Sequence, residues 1–143
     1  MPEKSRPAMD KGTQLTFNKK ERLCSAKLIG EIFERGSVIN TPLFRVAWLQ
    51  TSGLPSPAQV AFAVPKKSIR LAVARNLIRR RMREAYRLRK QTLYDFLHER
   101  NIQVAFVVIY RQKSVADYKT VENAVNEIIA KLAEKLGSRN PIC

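Results

Sequence analysis

Cysteine, histidine and acidic side chains are all scarce in these 143 residues, and the shortages remove classes of function. Two cysteines, Cys24 and Cys143, stand far apart. They exclude a disulfide scaffold and a four-cysteine zinc site, and they fit a reducing cytoplasm. One histidine, His98, is the whole supply of imidazole, and no HxH, HExxH, DxD or GxSxG pattern occurs. Catalytic centres are built from a base and nucleophile or from clustered metal ligands. The chain is therefore expected to break no bonds itself and to hold neither a metal nor a small-molecule cofactor, with His98 a solvated surface residue. Long apolar runs are missing too. The longest, Val104 to Tyr110, falls far short of the roughly 20 residues that span a bilayer. Met1 to Gly12 has no apolar core and does not read as a secretory signal. The expectation is a soluble cytoplasmic protein with no membrane partner.

Positive charge is abundant. Lys and Arg number 27 against 12 Asp and Glu, a formal net charge of +15. Such an excess opposes compaction through self-repulsion, so a polyanionic partner is its usual cause. The hydrophobic fraction of 45% is ordinary, and the length suits one domain with a real core.

Residues 1–20 are polar, carry Pro2, Pro7 and Gly12, and read as a flexible basic arm. Residues 21–137 form the expected domain, and 138–143 a flexible tail. Ser25 caps a predicted helix from Ala26 to Arg35, with Gly36 ending it. Leu43 to Gln50 and Gln59 to Val64 read as strands joined by a hairpin-type connection over Thr51 to Pro57. A long helix follows from about Leu71 toward Glu99. Ile102 to Tyr110 is a β-branched apolar run expected as a central strand covered on both faces. Ser114 or Asp117 caps a last helix with the stripe Val121, Ala124, Val125, Ile128, Leu132 and Leu136, ended by Gly137. The order α-β-β-α-β-α implies an α/β (α+β) fold, one small domain of mixed sheet packed by helices.

The long helix concentrates the charge. Lys66 to Lys90 holds eleven basic residues and one acid, Glu84, hence +10 of the +15. On a helical wheel with Arg75 at zero, Arg75, Asn76, Arg79, Arg80, Arg83, Arg87 and Lys90 fall between roughly 0 and 140°. Ala74, Leu77, Ile78, Ala85, Leu88, Thr92 and Phe96 fall between roughly 200 and 300°. A solvated face normally mixes charge signs in i, i+4 pairs. This one repeats a single sign, which a dense anion would offset, and arginine's planar fork grips phosphate oxygens bidentately. Arg81, at about 240° in the apolar sector, must snorkel or meet a buried acid.

A Lys66-Lys67 pair ending a strand precedes Ala72-Val73-x-Arg75-Asn76-x-Ile78-Arg79-Arg80-x-x-Arg83-Glu84-Ala85-Tyr86-Arg87. This string resembles the signature of the protein subunit of bacterial ribonuclease P. Ile32-Phe33-Glu34-Arg35-Gly36, the strand with Phe44, the Val104 to Tyr110 strand and the closing helix extend the resemblance over nearly the whole domain. It implies a small basic partner of a catalytic RNA that removes the 5′ leader from precursor tRNA, with chemistry and magnesium on the RNA. Both RNAs are then partners, and the protein lowers the magnesium requirement. It also implies a left-handed β-α-β crossover, against the usual hand.

Under that resemblance Lys66, Lys67, Arg70, Arg75, Asn76, Arg79, Arg80, Arg83, Arg87 and Lys90 bind RNA. Ile29, Phe33, Ala47 and Ala63 line a cleft for the leader. Ile29 stands where an aromatic is common, and Ala47 where one often projects, with Trp48 adjacent. Ala63 stands where a small residue, often Ser, faces the leader, and the Ser68 to Leu71 connector lacks the usual glycine and is one residue longer. Two other readings share the basic helix. A DNA-binding or ribosome-associated module is one, although no helix-turn-helix break precedes Ala72. A protein nuclease would need ligands from scattered acids such as Asp95, Glu99 and Asp117.

Overall fold

The computed structural model describes residues 17–139, with side chains described to Gly137. Helix α1 (Ala26–Arg35) starts at Ser25, whose Oγ accepts the Leu28 N–H at 3.2 Å. It stops at Gly36, as expected, but not through a left-handed turn, since φ there is −77°. The glycine is needed because a Cβ would collide with the carbonyl oxygens of Ile32 and Trp48.

The next four residues form a strand that the sequence pattern did not signal, β1 (Ser37–Asn40). It pairs antiparallel with β2 (Phe44–Thr51), Ser37 opposite Trp48 and Asn40 opposite Arg45. Buried Thr41 staples the turn between them: its Oγ1 accepts the Phe44 N–H and donates to the Phe44 carbonyl. β3 (Ala58–Ala63) is not the hairpin partner of β2. Strand β4 (Gln103–Tyr110) lies between them, so the sheet order is β1-β2-β4-β3. The Ser52 to Pro57 connection therefore crosses the end of β4. It is fastened there by Gln103, whose side chain accepts from the Leu54 N–H and donates to the Leu54 and Ser56 carbonyls. β4 runs antiparallel to β2 and parallel to β3, and a helix, α2 (Ala72–Arg100), makes the β3-α2-β4 crossover.

One sheet face carries Val46, Trp48, Val60, Val104, Phe106 and Val108 into the main core. α2 and α3 (Tyr118–Arg139) cover that face and pack along each other. Asp117 caps α3, its Oδ1 accepting the Thr120 N–H at 2.9 Å, and the expected stripe from Val121 to Leu136 is buried. Gly137 does not end α3, which continues to Arg139. The opposite face carries Ala47, Ala105 and Val107 beneath Ile32 of α1 and Leu23. β4 is thus covered on both sides, as its unbroken apolar run implies.

The buried side of α2 departs from the wheel reading. Ile78, Met82, Ala85, Tyr86, Leu93 and Leu97 are its buried apolar residues. They centre near the azimuth of Arg75, spanning roughly 280° through zero to 40°. Leu88 is exposed and Leu77 half-buried. The burial face is turned by about a quarter of the circumference from the expected one.

Candidate nucleic-acid interface

That rotation sorts the basic residues of α2 into two groups. Arg80 and Arg83 are exposed, with Asn76 one turn before them and half-buried Arg79 bonded to the Asn76 side chain. Partial burial, then the neighbouring Arg79, Arg22 and Arg80 guanidinium groups, lower the Arg83 pKa from its ordinary value. An arginine so placed keeps its charge at any working pH. Arg87 grips Glu84 with two bonds of 3.1 and 2.6 Å, which holds the Glu84 carboxyl below its usual range.

The second group is structural. Arg75 donates to the Ile69 and Arg70 carbonyls at 3.1 and 2.8 Å, bracing the connector that carries Lys66, Lys67 and Arg70. Half-buried Arg81 meets no buried acid among the described residues: its guanidinium donates to the Ala116 carbonyl ahead of α3 at 2.5 Å, near enough to exposed Asp117 to help hold that carboxyl below its usual range. Arg89 pairs with Glu122 of α3. Lys90, expected on the exposed stripe, is 2% exposed and ion-paired with Glu21, itself 4% exposed. Tyr94 donates its hydroxyl to the same Glu21 oxygen at 2.6 Å. At about 60° on the wheel, Lys90 borders the apolar face, and the segment before α1 closes over it.

Lys66, Lys67 and Arg70 are exposed beside Leu71 on the connector. Arg22, which the sequence reading did not single out, joins the exposed cluster: it shares a concave surface with Phe17, Arg80, Arg83, Glu84 and Arg87. Its only signal was a basic residue next to an apolar one, Leu23, just after the expected arm.

On the far sheet face a groove of about 680 Å³ runs between α1 and the connector. Phe33, 57% exposed, stands at one wall, with Arg45, Ile109 and Lys67 beside it and Arg111 and Lys113 at the end. Register places Arg45, Ile109 and Ala63 in one row across three strands. Ala63 is half-buried there. The next row, Ala47, Val107 and Ala61, lies under α1, so Ala47 is 2% exposed and belongs to the packed layer. Ile29 is half-buried against that same layer. Trp48 points to the other face and cannot serve the groove. Of the four expected cleft residues, the structure brings Phe33 and Ala63 toward the open row and sets Ala47 beneath the helix. Arg45, Arg111 and Lys113 are cations of this groove that sequence reasoning missed; only the outward alternation of Arg45 between Phe44 and Val46 marked one of them.

A profile of the ribonuclease P family matches residues 17–133. The chain belongs to the ribonuclease P protein family. The ribonuclease P protein component of Porphyromonas gingivalis is 32% identical over 123 residues, covering 85% of this chain and 90% of that one. That of Chlorobium phaeobacteroides is 30% identical over 125 residues, covering 80% and 86%. Among solved structures, the ribonuclease P protein of Thermotoga maritima superposes with a TM-score of 0.63 at 22% identity, covering 78% of this chain and 96% of that one. The Staphylococcus aureus protein gives 0.61 at 22% identity, covering 79% and 94%. The role of the chain is that of a ribonuclease P protein component, and ribonuclease P is an endoribonuclease of tRNA 5′ processing with catalysis by its RNA subunit.

Two of the three acids named for a protein nuclease have other tasks in this ribonuclease P protein. Asp95 accepts from Gln91, and Asp117 caps α3. Among the described residues no group of three or more His, Cys, Asp or Glu is placed to hold a metal ion. None of their helices is long and apolar enough to cross a membrane.

Proposed function

We propose that this chain binds the catalytic RNA of ribonuclease P through the exposed side of α2, using Asn76, Arg79, Arg80, Arg83 and Arg87. Lys66, Lys67 and Arg70 on the adjoining connector extend that surface. The groove beside Phe33 receives the single-stranded 5′ leader of precursor tRNA, with one aromatic wall and a cationic border. Magnesium sits on the RNA in the cytoplasmic enzyme, and the protein lowers the concentration needed by offsetting repulsion between catalytic RNA and substrate phosphates. The observation that carries this reading is the segregation of cations on the exposed side of α2, with Glu84, the one acid from Lys66 to Lys90, tied to Arg87.

If about six phosphates are neutralised, affinity for the RNA falls roughly 10³-fold between 50 and 200 mM salt. The double variant Arg79→Glu and Arg83→Glu is expected to lose assembly with the RNA at moderate salt while keeping its helical signal. Normal assembly by that folded variant contradicts the assignment. Duplex DNA of equal charge is expected to compete poorly with the structured RNA, and equal competition would favour a generic nucleic-acid binder.

A further inference from the structure

The segment from Phe17 to Leu23 is built into the fold by unusually many independent contacts for a stretch before the first helix. Phe17 packs edge-on against Tyr86 at 5.8 Å between ring centroids and also meets Phe62. A 3-10 turn over Lys19–Glu21 is capped at Asn18, whose side chain accepts the Lys20 N–H while Glu21 Oε2 accepts the Asn18 N–H. The other Glu21 oxygen takes Lys90 and Tyr94. Leu23 then donates its N–H to Val60 on edge strand β3 at 3.0 Å. Arg22 sits between these anchors. Its neighbours on both sides are fixed and buried, so the backbone holds its exposed side chain beside Arg80, Arg83 and Arg87.

We propose that Arg22 completes a phosphate cradle with Arg80, Arg83 and Arg87, and that the buried Glu21–Lys90 pair is the device that positions it. This rests on the reading of α2 as an RNA-binding helix and names what that surface takes. Among the described residues, four guanidinium groups share one concavity with one carboxylate, Glu84, which is bound to Arg87. Three positive charges are left over, whereas a phosphodiester carries one negative charge. The matching ligand is a place where two or more RNA phosphates are crowded together, as at a sharp backbone turn, and not one face of a regular duplex. The Arg83 pKa is lowered first by partial burial and then by Arg79, Arg22 and Arg80, in keeping with cations drawn close together. A buried ion pair is at best a weak stabiliser relative to apolar residues of the same volume. Glu21–Lys90 instead fixes a direction: it joins the residue preceding Arg22 to the helix that carries the other three arginines.

The test is the salt dependence of binding between the full chain and its cognate ribonuclease P RNA. Arg22→Ala is expected to reduce the slope of log affinity against log salt by about 0.7 to 0.9, the loss of one phosphate contact. The double variant Glu21→Met and Lys90→Met, which removes both buried charges together, is expected to lose the same increment although Arg22 is intact. Adding Arg22→Ala to it should lower the slope no further. Lys119→Ala, on exposed α3 surface, should leave the slope unchanged. A wild-type slope in Arg22→Ala overturns the cradle. A wild-type slope in the folded double Met variant overturns the positioning role, and a slope lowered only through loss of folding is excluded by its unfolding midpoint. Absence of salt-dependent binding by the unmodified chain would overturn the RNA-binding reading as well, so the two failures are distinct.

Discussion

Lys90 and Arg83 show how little a residue's own identity says about its work. Both are cations on the same helix within two turns of each other, and the wheel puts them about 20° apart. Arg83 faces solvent among other arginines, and Lys90 is enclosed with Glu21 and Tyr94. The consequences of removing them should therefore be opposite. Lys90→Ala strands a buried carboxylate and is expected to cost about 3–5 kcal/mol of stability. Arg83→Ala should stay within about 0.5 kcal/mol while weakening RNA binding. Urea unfolding of both variants checks this, and a Lys90→Ala protein as stable as the parent would show that the pair is not buried in solution. Burial also pushes the Tyr86 and Tyr94 hydroxyls well above the usual tyrosine range, with Glu21 adding to both. None of this was legible in the sequence. The partner of Lys90 is 69 residues away, in a stretch whose composition reads as a border of the flexible arm.

Elements were read more successfully than their contacts. The boundaries of α1, the cap at Ser25, the run of β4 and the stripe of α3 follow from local pattern, because capping groups and period-3.6 or unbroken apolar runs are local signals. β1 escaped because Ser-Val-Ile-Asn is too short to show alternation and is held by pairing with β2 and by the Thr41 staple. The loop after β2 reads as a hairpin in the sequence because proline and glycine mark a turn without saying which strands flank it. Gln103 and the Val104 N–H, nearly fifty residues on, fix its course over β4. The quarter-turn error on α2 has a similar origin. Leu77 and Leu88 pull the sequence-based face toward themselves, while Met82, Tyr86, Leu93 and Leu97, which the sheet and α3 enclose, define the true one. Gly36 carries the prediction at this scale. A methyl group there meets two backbone carbonyls, so Gly36→Ala is expected to cost about 1–3 kcal/mol. The measurement is a shift of the urea midpoint at constant slope, and an unshifted midpoint would mean that α1 can back away from β2 freely.

The whole molecule divides its tasks by face. The main core lies between the sheet and α2 with α3, and the opposite sheet face is only partly covered by α1. That incomplete cover leaves the groove at Phe33 and Arg45, while the exposed side of α2 carries the arginines. Two cationic surfaces on one small ribonuclease P protein suit the proposed role, in which one face meets the catalytic RNA and the other the precursor tRNA. Charge imbalance made a polyanionic partner legible from composition alone, and the arginine motif narrowed it to one family. The second surface was less legible, because Arg45, Arg111 and Lys113 meet only after the sheet is assembled. The central claim is that this protein assists an RNA that performs the chemistry. Cleavage of a precursor tRNA by the cognate catalytic RNA, at a magnesium concentration where that RNA alone is nearly inactive, tests it most directly. The account predicts 5′ leader removal only when the protein is present, and loss of that rescue with Arg79→Glu and Arg83→Glu. Equal cleavage with and without the protein at low magnesium, from an RNA shown to be active at high magnesium, would contradict it.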